Sequence, residues 1–145
     1  MAARDWITWK QGRLSEAEEL MRKTIEIERE HLGDKHQTTV ESMSHLAAVL
    51  TERGRLDEAE RLFAETLPLA GEAFGEGHFT TQWINTEYAK CLALQGNQEE
   101  ARTILRKALA VLSDTVGAEH RATRNARQAL ADLPAARESL TSLGE

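Results

Sequence analysis

Five histidines, a single cysteine and 24 carboxylates are the groups in this 145-residue chain that could bind a metal, attack a carbonyl or move a proton. Three of the histidines, His36, His78 and His120, recur at a spacing of 42 residues. Ligands of one ion must all lie near 2 Å from it, whereas equivalent positions in stacked helical units stand roughly 10 Å apart. They are therefore expected to order loops or cap helices rather than share a metal. His31 joins His36 at one loop without a cysteine or third ligand, and no His-Glu-x-x-His is present. Cys91 lies beside Tyr88 and Leu92 with no Cys-His-Asn order around it, which reads as a packing thiol. The glycines are isolated, so none forms a phosphate-cradling loop. The carboxylates fall at capping positions or on solvated faces, where pairing two as acid and base is arbitrary. The expectation is a chain without catalytic residues, metal or cofactor.

The elements that position these residues follow from the same spacing. Gly12-Arg13-Leu14-Ser15-Glu16-Ala17-Glu18 aligns with Gly54-Arg55-Leu56-Asp57-Glu58-Ala59-Glu60, and then with Gly96-Asn97-Gln98-Glu99-Glu100-Ala101-Arg102. The register continues through Leu20, Leu62 and Ile104, through Gly33, Gly75 and Gly117, and through Ala47, Ala89 and Ala131. Each period holds two amphipathic helices with apolar residues at helical spacing, closed by a glycine that enters the left-handed cap conformation cheaply. This predicts about seven helices over 2–11, 15–32, 38–53, 57–74, 80–95, 98–116 and 120–133, and a short final helix over 135–143. The domain divides into a half repeat over 1–32, repeats over 33–74 and 75–116, a final helix over 117–133 and a tail over 134–145. Reciprocal capping pairs are expected at Ser15 with Glu18, Asp57 with Glu60 and Asn97 with Glu100. Ala17, Ala59 and Ala101 should let antiparallel helices approach closely, and Pro68 should kink its helix after Ala64.

Composition narrows the function. A net charge of −6 and a pI near 5.4 argue against a nucleic-acid surface, which needs clustered Lys and Arg, and against a basic membrane-surface helix. No apolar run approaches the roughly 20 residues of a bilayer span, and Met1 to Lys10 lack a signal-peptide pattern. A lone cysteine suits a reducing, cytoplasmic setting.

The pattern Gly-Arg-x-x-Glu-Ala-Glu, then Leu-Gly-x-x-His, then a helix with Leu-Ala, resembles a tetratricopeptide repeat. The 42-residue period resembles the kinesin-light-chain subtype over about Trp6 to Leu133. That resemblance implies an all-α, right-handed α-solenoid of antiparallel helix pairs and a role in binding proteins. Gln37, Phe79 and Arg121 stand where the family often has a proline. Ser44-His45, Thr86-Glu87 and Gln128-Ala129 replace its paired asparagines. In kinesin light chains those asparagines help hold a cargo peptide, so that peptide preference is not expected here.

By the same resemblance, a concave groove lined by the first helices would present Trp6 and Trp9, then Glu41, Ser44, His45, Ala48 and Thr51. Trp83, Thr86, Glu87, Lys90 and Ala93 follow, then Asn125, Gln128 and Asp132. Trp83 has two readings, a partner hot spot or a packing residue between helices; Trp6 and Trp9 could contact a ligand or cover the end of the stack. Basic partner residues would suit Glu41 and Glu87. Lys90 and Asn125 alone are too few to clamp an acidic chaperone C-terminus. The expected partner is a protein or peptide, not nucleic acid or membrane. Alternatives are a non-catalytic regulatory segment of a larger signalling enzyme of kinase or NTPase type, and self-association through open solenoid ends, since the chain opens on half a repeat and ends on an unpaired first helix.

Overall fold

The computed structural model describes the backbone of residues 3–134 and side chains from Arg13 onward. The side chains of Trp6 and Trp9, and the expected helix over 135–143, lie outside the described residues. Every regular element among the described residues is a helix: α1 (Ala3–His31), α2 (Gln37–Glu52), α3 (Leu56–Ala73), α4 (Phe79–Leu94), α5 (Gln98–Thr115) and α6 (Arg121–Ala131). They fall into two compact units, Met1–Phe74 and Gly75–Glu145.

In the first unit α2 pairs with α3 and α1 packs on α2. The turn between α2 and α3 depends on Gly54, whose φ of +80° is strained for any residue with a Cβ. That conformation brings the Gly54 N–H to the Thr51 carbonyl and the Arg55 N–H to the Leu50 carbonyl, both at 3.0 Å, closing the helix. Val40, Met43, Leu46, Ala47 and Leu50 of α2 are buried with Ala59, Phe63 and Ala70 of α3. Ala59 is fully buried, as a close helix crossing requires.

The second unit repeats the scheme. Gly96 (φ +94°) turns α4 into α5, and Asn97 donates to the Leu92 carbonyl at 2.9 Å. Ala89, Leu92, Ala101, Leu105 and Ala129 form one cluster, with Tyr88, Ile104 and Leu130 packed against it. Leu112, Ala122 and Ala126 form another between α5 and α6.

Two local expectations change. Gly12 does not turn the chain: α1 continues through it, joining the expected helices 2–11 and 15–32 into 29 residues. Glycine permits a left-handed bend without compelling one, and inside a helix it costs only about 1 kcal/mol. The start of α3 falls earlier than the capping pair at Asp57 implies, since the helix begins at Leu56 with Arg55 as its N-cap. Asp57 instead sits in the first turn, where a carboxylate meets the positive end of the helix dipole. Ser15 falls inside α1, and Asn97 caps α5 without a side-chain hydrogen bond. The helix assignment of α3 is continuous through Pro68; Pro68 and Ala64 are both exposed, so water can reach the carbonyl that loses its N–H partner.

Candidate partner-binding faces

The histidine spacing resolves into helix caps. Nδ1 of His36 accepts the Thr38 N–H at 3.1 Å, Nδ1 of His78 accepts the Thr80 N–H at 3.0 Å, and Nδ1 of His120 accepts the Ala122 N–H at 3.0 Å. Each histidine occupies the extended N-cap conformation of α2, α4 or α6. In the second unit Phe79 bridges two caps, with its ring 4.5 Å from His78 and 5.3 Å from His120. Among the described residues no group of three or more His, Cys, Asp or Glu could hold a metal, and no helix is long and apolar enough to cross a membrane. Cys91 is fully buried.

In the second unit the first helices α4 and α6 pack against each other. This brings together three expected site residues that are far apart in sequence. Lys90 Nζ donates to Glu87 Oε2 at 3.0 Å and to Asn125 Oδ1 at 3.1 Å, while Asn125 Nδ2 donates to Glu87 Oε2 at 3.3 Å. The side chains are partly open, Lys90 at 39% and Glu87 at 17% exposure. The Glu87 charge is therefore paired with Lys90 of its own helix. Trp83, one turn earlier on α4, is half-buried. Gln128 is exposed and donates to Asp132 at 2.8 Å. Thr86 departs from expectation: it is fully buried, and its hydroxyl donates to the Gln82 carbonyl of its own helix at 2.9 Å.

In the first unit, Glu41 and His45 are exposed on α2. Ser44, between them, is buried and donates to the Glu41 carbonyl at 2.7 Å. Short hydroxyl side chains on a helix turn back to their own backbone in this way. Neither Ser44 nor Thr86 presents a surface to a ligand.

Sequence reasoning missed a cluster around Glu18. Its buried carboxylate accepts from Arg22 at 2.8 Å, from Arg53 at 2.9 Å and from Arg55 at 2.8 Å. Arg22 and Arg55 also reach Glu58, at 2.5 and 2.6 Å, so the cluster joins α1, the α2–α3 turn and α3. Burial pushes the Glu18 carboxyl up, but the Arg22 hydrogen bond and the charges of Arg55, Arg22 and Arg53 outweigh it and hold the group below 4.5. The Arg22 hydrogen bond likewise lowers Glu58, while hydrogen bonds to Glu18 and then Glu58 raise Arg22. Beside this cluster a cleft of about 680 Å³ separates α1 from α3. Its floor is Ile25, Leu46, Leu50 and Leu62, and Arg22–Glu58 and Arg29–Glu65 span it.

The chain can now be placed among known proteins. Two family models, both described as Tetratricopeptide repeat, match residues 7–72 and 91–122. The chain belongs to the tetratricopeptide-repeat family, whose repeats mediate protein–protein interaction. Its fold is shared with crystallised TPR-like repeats assigned to a kinesin light chain from Podosopora anserina. One of these structures superposes with a TM-score of 0.67 at 21% identity, over 92% of this chain and 63% of that one. A point variant of those repeats gives 0.69 at 22% identity, over 91% and 61%. The chain thus spans less than two thirds of the length of these repeat proteins. No curated protein matches it in sequence.

Proposed function

We propose that this chain is a non-catalytic scaffold module, working in the reducing cytoplasm, that holds a peptide or protein on the first-helix faces of its repeats. Glu41 and His45 would serve in the first unit, and Trp83, Glu87, Lys90, Asn125 and Gln128 in the second. The observation that supports it is the Lys90–Glu87–Asn125 cluster beside half-buried Trp83. An ammonium has three donors and a side-chain amide two. With the bonds described, one Nζ–H of Lys90 and one Nδ2–H of Asn125 remain for a ligand, both held in place by Glu87. Such fixed donors suit the carbonyls of an extended peptide, and a neighbouring tryptophan supplies apolar area at small entropic cost.

The test is affinity capture from native lysate with the wild-type chain and with Trp83→Ala combined with Lys90→Ala, after circular dichroism has shown both to be helical. Loss of the captured proteins from the double variant is the expected result. Capture of the same proteins in the same amounts would remove this face from consideration.

A further inference from the structure

The stripe of α1 that carries Ala17, Leu20, Met21, Thr24 and Ile27 lies along one side of the helix, away from the Glu18, Arg22 and Ile25 side that faces α2 and α3. Leu20 is 66% and Ile27 57% exposed. One period later, Leu62 and Leu69 of α3 are half-buried, and Ala59, Phe63 and Thr66 are fully buried. α3 packs against α2, the helix that precedes it across Gly54, and Leu62 of this stripe also lines the cleft toward α1. The counterpart of α2 for the α1 stripe is the segment 3–11, but α1 runs straight through Gly12 and carries that segment away along its own axis.

We propose that a second copy of this chain covers the stripe, each copy laying its residues 3–11 antiparallel across residues 17–21 of the other. The repeat sets the register. Gln37 at the start of α2 donates to the Ala73 carbonyl at the end of α3, fixing which residues of an antiparallel pair stand opposite. Shifted back by one 42-residue period, that pairing sets sequence positions 6 and 9, both tryptophans, opposite Leu20 and Ala17. Two α1 helices crossing near Gly12 thus make between copies the contacts that α2 and α3 make within one. A hinge that opens into continuous helix while keeping its pairing surface is the geometry of domain exchange.

Light scattering of the full chain across a concentration series tests this, with circular dichroism as the check on folding. The wild type should be a dimer. Leu20→Glu should weaken association at least about tenfold by placing a charge in the contact. Gly12→Ala, which favours continuous helix, should tighten it about fivefold. Two glycines inserted after Gly12 should let the segment fold back and give a monomer. A wild type that stays monomeric overturns the proposal, as does a dimer indifferent to Leu20→Glu or to the inserted glycines.

Discussion

Met1–Phe74 and Gly75–Glu145 are built on one repeat yet tie their helices together by different means. The local devices are the same in both: a left-handed glycine at the turn inside the hairpin, Gly54 or Gly96, and a histidine Nδ1 at the N-cap of α2, α4 and α6. The ties between hairpin and neighbour differ. In the first unit Glu18 gathers three arginines from two elements. In the second, the equivalent position is Arg102, also buried but of opposite charge, with its guanidinium 2.6 Å from Glu99 and donating to the Pro134 carbonyl. A repeat specifies its hairpins through residues a few positions apart. The contact from one hairpin to the next is a separate problem, solved here once by a multi-arginine cluster and once by apolar packing with a polar triad.

The largest test of this contrast is Glu18→Ala. It leaves Arg22, Arg53 and Arg55 facing one another, and because those arginines are partly exposed the cost should be about 2–3 kcal/mol rather than the full penalty of a dry broken pair. Hydrogen exchange should show the loss in Met1–Phe74 and spare Gly75–Glu145; equal loss in both units would mean the cluster is no local tie. Acid should act on the same cluster. The carboxyls of Glu18 and Glu58 are depressed in the folded state, so the stability they contribute is present above 4.5 and disappears as pH falls below it through their folded values. Exchange in the first unit should therefore accelerate before that in the second during an acid titration, and the reverse order would break the comparison.

What could be read in advance divides along the same line. The period, the glycine stops and the capping histidines are written within a few residues of where they act, so spacing alone revealed them. The Glu18 cluster joins residues 35 and 37 positions apart, and only the packing of α1 on α2 brings Arg53 and Arg55 to it. Ser44 and Thr86 differ for a related reason: family position places a residue on a helix face, but a short hydroxyl can turn inward to its own backbone. Gly12 shows the limit from the other side, since a glycine that can bend the chain need not.

If the local devices are truly shared, their removal should cost the same in either unit. His36→Ala and His78→Ala should each lose about 1 kcal/mol in urea denaturation, the worth of an N-cap bond. His78 should be slightly the more costly because Phe79 stacks on it. A several-fold difference would show that the caps, too, depend on which unit holds them.

The smallest effect gives the sharpest contrast. Thr39, Thr81 and Thr123 stand six residues after Gly33, Gly75 and Gly117, and all three are buried. Thr81 and Thr123 donate to the Gly75 and Gly117 carbonyls at 2.7 Å, whereas the Thr39 hydroxyl is buried without a hydrogen-bond partner. Valine keeps the shape of threonine and removes the hydroxyl. Thr81→Val should thus cost about 1 kcal/mol, the net value of a buried hydrogen bond, while Thr39→Val removes an unsatisfied polar group and should be neutral or slightly stabilising. Paired urea melts of the two variants decide it. Equal losses would mean that the Thr39 hydroxyl finds a partner in solution and that the first loop is built like the second.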